Sequence, residues 1–262
     1  MTTKNMDQSM RDVPRNMRKT GMLLFRDAFM EAAQNEKLMC VVHTAHAAEI
    51  LLKARIAQEH PLLIFSQLPT LDKNSKDTLG LIDLLEKGRT LSYAELPSRL
   101  WATTGIKIDR LEQYLEFGKL RNQIIHLSTT NTEKAPDDIT LLYSLQLLDP
   151  LVESFWGHSV FDFINNDYSY DNSFLSSGFM EERISKIHPI DERLRRLLGE
   201  TSRKNLEIMS HINDLDESES NEVLTPTLEE YLQYQQENPP ESYPYASETE
   251  LIERWDNFLN SF

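Results

Sequence analysis

The feature that most constrains this chain is the return of its side-chain pattern at helical rather than strand spacing. One stretch of the sequence shows a set that recurs at helical spacing, namely Leu111, Tyr114, Leu115, Gly118, Asn122 and Ile125. The alternation typical of strands is scarce, the chain holds only 8 glycines, and no glycine-rich phosphate loop occurs. The sequence therefore predicts an all-α fold and argues against a nucleotide-binding α/β fold.

The same spacing predicts helices along most of the chain. Polar stretches, glycines and prolines mark the ends and interruptions of these helices. The predicted helices are one from Met22 to about Asn35, one from about Glu36 to Gln58, Leu79–Glu86, Tyr93–Trp101 interrupted by Pro97, Ile108–Leu127, Pro136 to about Ile164 with a kink at Pro150, Phe179–Ile187, and Ile190–Leu198. Residues 61–77 are predicted as a loop whose apolar start docks on the core.

Changes in composition divide the chain into four parts. Residues 1–20 are polar and are predicted to form a loose N-terminal arm. Residues 21–165 are predicted as a bundle of helices, and residues 166–200 as a helical extension. Residues 201–262 are predicted as an acidic C-terminal tail that is partly helical, because Pro239, Pro240 and Pro244 keep part of it extended.

The charge is distributed unevenly. The net charge of −15 comes from 27 basic and 42 acidic side chains, yet residues 1–130 carry 18 basic and 15 acidic ones. Residues 211–262 carry 13 acidic side chains and one basic side chain, Arg254. The first half is therefore able to approach a polyanion, whereas the second half repels one.

The cysteine content and the hydropathy pattern bear on the compartment. Cys40 is the only cysteine, so no disulfide forms within the chain, which suits a reducing compartment. We expect Cys40 to be a small buried side chain. No apolar run approaches the roughly 20 residues that span a bilayer, and the N-terminus has no signal-peptide core. These features predict a cytoplasmic protein that does not enter a membrane.

One charged residue interrupts the apolar stripe of the second predicted helix. This stripe contains Glu49, and burying a carboxylate is unfavourable unless it has a partner. Glu49 therefore either pairs internally or faces a functional cleft. A metal site formed by His43, His46 and Glu49 is disfavoured, because these three side chains are spread around the helix. No metal or other cofactor is predicted.

The end of the Ile108–Leu127 helix carries the residues best suited to chemistry. Asn122 and His126 lie one turn apart, and Arg121 lies about 100° around the helix from Asn122. They combine a permanent cation, an amide and a base that titrates near neutral pH. A structural interpretation stays open, because the C-terminus of any helix favours cations for electrostatic reasons alone.

The wording Leu-Arg-Asn-Gln-Ile-Ile-His over residues 120–126 resembles the signature of the HEPN superfamily, an arginine, a polar residue and then a histidine after a short interval. The preceding stretch, residues 45–54, is similar to the long helix before that motif in several bacterial HEPN proteins. The resemblance covers roughly residues 20–165. It implies a HEPN-like helical bundle and a metal-independent endoribonuclease that works as a homodimer with a composite site. Arg121, Asn122 and His126 would then be catalytic, and Glu49 a possible supporting residue.

The chemistry that this resemblance implies suits these residue types. The ribose 2′-hydroxyl attacks the adjacent phosphorus and leaves a 2′,3′-cyclic phosphate and a 5′-hydroxyl. His126 would shuttle the proton, and Arg121 would balance the charge that builds on the phosphate. Family membership also implies a toxin or antiviral defence role, with an antitoxin or a sensor protein as a further partner.

Two alternatives remain open from the sequence. The first is a non-catalytic HEPN module that keeps the motif as a surface for a partner protein or RNA. The second is an acidic protein that mimics nucleic acid through residues 211–262. The acidic tail would otherwise serve solubility, or occupy the site as an internal mimic of RNA charge.

Overall fold

The computed structural model describes residues 3–34, 38–70, 81–128, 132–166 and 177–199. These residues are mostly helical and include one two-stranded sheet, so the all-α class is confirmed. The chain divides into two compact units, Met1–Val160 and Phe161–Phe262. This division lies five residues before the predicted end of the helical bundle. The predictions for residues 201–262, including the acidic tail, fall outside the described residues.

The first two helices form an antiparallel pair. Helix α1 spans Thr3–Ala33 and helix α2 spans Met39–Glu59. Near the connection between them, His43 Nδ1 lies 2.8 Å from Glu31 Oε2, and farther away Gly21 packs on Leu51. The prediction of a loose arm over residues 1–20 is wrong, because α1 is helical from Thr3 onwards. The polar composition misled it, since polar side chains suit the solvent side of a helix as well as a loop.

Helix α2 is the centre of the first unit. It packs against α1 and against three later helices, and its buried side chains therefore lie on more than one face. Many of them are small, which allows neighbouring helices to approach closely. The buried residues are Cys40, Val41, Thr44, Ala45, Ala47, Ala48, Leu51, Leu52, Lys53, Ala54, Ile56 and Ala57.

A short hairpin-like pairing follows α2. A 3₁₀ turn spans Pro61–Ile64, strand β1 spans Phe65–Gln67, helix α3 spans Leu81–Lys87, and strand β2 spans Arg89–Thr90. The strands are antiparallel, and the Leu91 amide donates to the Ile64 carbonyl over 2.8 Å. Ile64 and Phe65 are buried, so the predicted docking of this apolar stretch is confirmed.

The next segment leads into the helix that carries the motif. A 3₁₀ turn spans Tyr93–Glu95, helix α4 spans Leu96–Thr104, and helix α5 spans Leu111–Leu127. Pro97 was predicted to interrupt a helix, but it lies in the first turn of α4, where a missing amide is tolerated. Helix α4 ends at Gly105, which has a φ of 75° that glycine adopts without strain.

The predicted helix from Pro136 to Ile164 is divided. Helix α6 spans Pro136–Tyr143, a π-helical turn spans Ser144–Leu148, and helix α7 spans Asp149–Trp156. The π-helical turn stands in place of the kink predicted at Pro150, which lies in the first turn of α7. Asp149 is fully buried and accepts hydrogen bonds from Ser159 Oγ at 3.1 Å and from the Val160 amide at 2.6 Å. This carboxylate stabilises the start of the following helix, α8 (Val160–Asn166).

The second unit contains two further described helices, α9 (Ser177–Ser185) and a helix over residues 192–199. Their positions confirm the two helices predicted in this region. Their buried side chains are apolar, namely Ile184, Leu194, Leu197 and Leu198. None of the described helices is both long and apolar enough to cross a bilayer.

Candidate active site on helix α5

Helix α5 has two faces of different composition. Its buried residues are Tyr114, Phe117, Gly118, Leu120 and Ile124. Its exposed face, as we use the term here, consists of Leu111, Leu115, Asn122, Ile125 and His126.

The stripe read from the sequence is therefore only partly buried. Of its members, Tyr114 and Gly118 face the core, whereas the two leucines, the asparagine and the isoleucine face outward. The physical reason is that several overlapping stripes satisfy a spacing of three and four residues. The helices that pack beside α5 decide which of these stripes is covered.

Arg121 and Asn122 form a local pair near the end of α5. Arg121 is half-buried, and its Nη1 donates a hydrogen bond to Asn122 Oδ1 over 3.0 Å. Because the amide oxygen accepts this bond, the Nδ2 group of exposed Asn122 remains available as a donor. Within the described part of the chain, Arg121 has no carboxylate partner. The pair therefore presents donors suited to an anion.

His126 lies in the last turn of α5 and is exposed. The helix ends immediately afterwards, at Ser128, whose φ of 51° lies in the left-handed region. The Ser128 amide donates to the Ile124 carbonyl over 3.0 Å and closes the last turn. Among the residues that the structure describes, the His126 imidazole has no hydrogen-bond or ion-pair partner. Its ring is thus accessible to an external ligand.

The arginine and the histidine do not converge within one copy of the helix. Five residues separate Arg121 from His126, which corresponds to about 7.5 Å along the axis and about 140° around it. Asn122 lies between them in angle and shares the exposed face with His126. A single α5 therefore presents these groups on a broad surface rather than in a closed pocket.

Glu49 is engaged in a partly buried ion pair. Its Oε1 lies 2.7 Å from Lys53 Nζ, and the same ammonium donates to Thr90 Oγ1 over 3.3 Å. Lys53 is itself buried. This pairing matches the internal-partner alternative for Glu49. No hydrogen bond joins Glu49 to Arg121 or His126 among the described residues.

Three tyrosines pack around the buried side of α5, and we call them the tyrosine cluster: Tyr93, Tyr114 and Tyr143. The rings of Tyr93 and Tyr114 are stacked with centroids 4.1 Å apart. The Tyr93 hydroxyl lies 2.9 Å from the Tyr143 hydroxyl, and the Tyr114 hydroxyl donates to the Tyr93 carbonyl over 2.9 Å. Phe117 adds a second stack on Tyr143, with centroids 3.9 Å apart. The cluster therefore joins α5 to α6 and to the 3₁₀ turn before α4.

Burial raises the pKa of all three phenols in the cluster well above the ordinary range. Electrostatic interactions within the cluster and with the Glu49 carboxylate also raise the pKa of Tyr93 and Tyr114, whereas the hydrogen bond to Tyr143 lowers the pKa of Tyr93 and the hydrogen bond to Tyr93 lowers that of Tyr114. The phenols consequently stay neutral at physiological pH. Their role is to pack and to hydrogen-bond.

Helical spacing alone does not predict the tyrosine cluster, although one signal in the sequence indicates it. Gly118 lies in the interior of a helix, where glycine is unfavourable by about 1 kcal/mol relative to alanine. Such a glycine indicates a close approach by another group. A Cβ atom at position 118 would lie only 2.7 Å from Tyr93 Cε1. The position of Gly118 in the predicted stripe does not reveal that Tyr93 is the group that approaches it.

The other polar groups that the sequence singled out are paired elsewhere. His43 pairs with Glu31, and Cys40 Sγ donates to Thr140 Oγ1 over 3.5 Å in the core. Burial raises the pKa of the Cys40 thiol to about 11, so it is neutral at physiological pH. Across the described ranges, His, Cys, Asp and Glu side chains form no group of three suited to a metal ion.

Comparisons with known proteins add no relative to this picture. No protein-family model matches the sequence, and no curated protein and no solved structure is significantly similar to the chain.

Proposed function

We propose that this protein is a metal-independent endoribonuclease of the HEPN type. Arg121 and Asn122 would bind the phosphate that is attacked, and His126 would transfer the proton. The observation that carries the proposal is the Arg121–Asn122 pair, which offers donors without a described carboxylate partner, beside an exposed imidazole one turn away. These are the groups that an attack by a 2′-hydroxyl on phosphorus requires.

The reaction follows from the properties of the three side chains. A neutral imidazole accepts the proton of the 2′-hydroxyl, and an imidazolium returns a proton to the departing 5′-oxygen. The Arg121 guanidinium keeps its charge throughout and stabilises the phosphorane-like transition state, in which negative charge builds on the oxygens. The products are a 2′,3′-cyclic phosphate and a 5′-hydroxyl. Glu49 supports the helix from the core in this mechanism and does not contact RNA.

The working form that we propose is a homodimer. Arg121 and His126 point about 140° apart on one helix, so a second copy of α5 would help to complete the site. The exposed face supplies apolar side chains for such a contact, since Leu111, Leu115 and Ile125 are 44%, 36% and 44% exposed. A symmetric dimer through this face would bring two sets of motif residues together. A toxin or defence role, with an antitoxin or sensor as partner, belongs to the same proposal.

The test is cleavage of mixed total RNA by the full chain in EDTA. We expect His126→Ala and Arg121→Ala each to lower the rate by roughly 10²–10⁴-fold, the range for loss of a general base or a charge-stabilising donor. Kinase labelling without prior phosphatase treatment would detect the 5′-hydroxyl ends. His46→Ala and Lys119→Ala are controls, because both residues are exposed and the substitutions remove an imidazole on α2 and a cation on α5 outside the motif.

A second candidate function rests on the same exposed face. Three large apolar side chains in water on one helix are typical of a protein–protein contact. A non-catalytic HEPN module would use them to bind a partner, with Arg121 and His126 as contact residues. If neither wild type nor any variant cleaves RNA in EDTA, this module becomes the better interpretation. Its signature would be a change in assembly, rather than in cleavage, when Arg121 or His126 is replaced.

A further inference from the structure

We propose that Tyr93 is a positioning residue for this site. Its ring lies against Gly118 and fixes the rotation of α5 about its own axis, and thereby the directions of Arg121, Asn122 and His126. This inference rests on the proposed function, since the three side chains matter only if they act together on a substrate. It concerns a residue outside the motif, on a different element of the fold.

The contact between Tyr93 and Gly118 leaves no room for any other side chain. A Cβ atom at position 118 would lie 2.7 Å from Tyr93 Cε1 and 2.8 Å from Tyr93 Cδ1. Ordinary carbon contacts begin near 3.4 Å, so the ring or the helix would have to move by about 0.7 Å. The contact with the Tyr93 ring therefore restricts the rotation of α5 about its own axis.

The ring cannot easily give way, because it is held on several sides. It is stacked on Tyr114 with an interplanar angle of 7°, and its hydroxyl bonds to the Tyr143 hydroxyl and to the Tyr114 carbonyl. The turn that carries it is closed by a capping box, in which the Ser92 amide and hydroxyl both donate to Glu95 Oε2, over 2.8 and 2.6 Å. The clash between a Cβ atom at position 118 and the Tyr93 ring would therefore be relieved by movement of α5.

Helical periodicity transmits such a movement to the site. Gly118 lies about 40° around the helix from Asn122, about 80° from His126 and about 60° in the opposite sense from Arg121. A movement of about 0.7 Å at a Cβ atom roughly 3.3 Å from the axis corresponds to a rotation of about 12°, which displaces functional groups roughly 5–6 Å from the axis by roughly 1 Å. Misplacement of reacting groups by about 1 Å is able to lower a rate 10²-fold.

The experiment compares Gly118→Ala with Gly21→Ala in the full chain. Gly21 is an equally tight glycine, whose Cβ would lie 2.8 Å from Leu51 Cγ, but it belongs to the contact between α1 and α2. We expect both variants to lose similar stability. Only Gly118→Ala should lower kcat for RNA cleavage, by about 10- to 100-fold, with KM within about threefold of wild type.

A second variant covers the case in which Gly118→Ala does not fold. Tyr93→Leu removes the ring without adding an atom to α5, and we expect kcat to fall by a similar factor with KM little changed. Of Gly118→Ala and Tyr93→Leu, the variants that fold decide the question. If their kcat stays within about twofold of that of Gly21→Ala, the proposal is wrong.

A readout independent of catalysis separates this proposal from the proposed function. The Arg121 Nε–H and His126 ring signals in NMR spectra report where these side chains lie. They should shift in Gly118→Ala and Tyr93→Leu but not in Gly21→Ala. If wild type fails to cleave RNA, the proposed function fails, while these signals still decide whether Tyr93 sets the rotation of α5. Unchanged signals in both variants would overturn it.

Discussion

The two faces of helix α5 belong to one 17-residue helix but have opposite relations to their surroundings. On the buried face, aromatic stacks and hydroxyl bonds satisfy the side chains of Tyr114 and Phe117. On the exposed face, an amide, an imidazole and three apolar side chains face water. The buried face therefore fixes the position of the helix, whereas the exposed face, with Arg121 at its margin, carries the groups that are available to ligands.

The largest expected effect tests this division directly. Phe117→Ala removes a ring that is 3% exposed and stacked on Tyr143, so we expect a loss of about 3–5 kcal/mol in the free energy of unfolding. His126→Ala on the exposed face should change the same quantity by less than about 0.5 kcal/mol. Urea unfolding measures both. Similar losses in the two variants would show that the faces are not separate in their energetics.

The next largest effect is a loss of stability at alkaline pH, and it arises from the buried thiol of Cys40. Burial raises the pKa of this thiol from 9.0 to about 11, so the folded protein keeps the proton that the unfolded chain releases. The stabilisation that the neutral Cys40 thiol gives the folded protein is complete below pH 9 and is lost as the pH rises through 11. Linkage predicts a loss of about 2 kcal/mol by pH 11.

The control for this prediction is Cys40→Ala, measured by urea unfolding at pH 8 and pH 11. The phenols of the tyrosine cluster act in the same direction above pH 10, and they are common to both proteins. The difference between wild type and variant therefore isolates the thiol. A difference that is independent of pH would contradict the prediction.

A smaller effect decides the role of Glu49. Glu49→Gln leaves the buried Lys53 ammonium without its carboxylate, and we expect a loss of about 1–2 kcal/mol, reduced from the value for a fully buried pair because Glu49 is 23% exposed. RNA cleavage should stay within twofold of wild type. The matched control is Glu59→Gln, which breaks the exposed Arg55–Glu59 pair on the same helix for less than about 0.5 kcal/mol. A hundredfold loss of cleavage in Glu49→Gln would instead return Glu49 to the catalytic site.

The smallest effect on the monomer is expected at the apolar part of the exposed face. Ile125→Ser should change unfolding by less than about 0.5 kcal/mol and weaken the proposed dimer about tenfold, or about 1.4 kcal/mol. Leu127→Ser is the control, because Leu127 is 67% exposed but lies about 160° around the helix. Analytical ultracentrifugation measures the dimer constant. Equal weakening by both variants would place the contact elsewhere.

Much of the fold was predictable because it depends on local patterns. Helical spacing identified α2 and α5, and the apolar start of residues 61–77 indicated the docking of Ile64 and Phe65. Residues 3–20 were misjudged, since a polar sequence does not distinguish a loop from a helix that faces solvent. The candidate site was predictable only as a set of residue types, with Arg121, Asn122 and His126 in sequence order. Their catalytic roles stay predictions.

The all-α class, the helix that carries Arg121, Asn122 and His126, and the two alternatives for Glu49, an internal partner or a functional cleft, could be predicted from the amino-acid sequence, because they follow from periodicity and from the energetics of charge. Three features required the packing of the helices: the pairing of Glu49 with Lys53, the choice of the α5 residues that are covered, and the contact of Tyr93 with Gly118. A helix offers several overlapping stripes whose residues recur at the same spacing. Contacts between residues distant in sequence, such as Tyr93 with Tyr143, select among them.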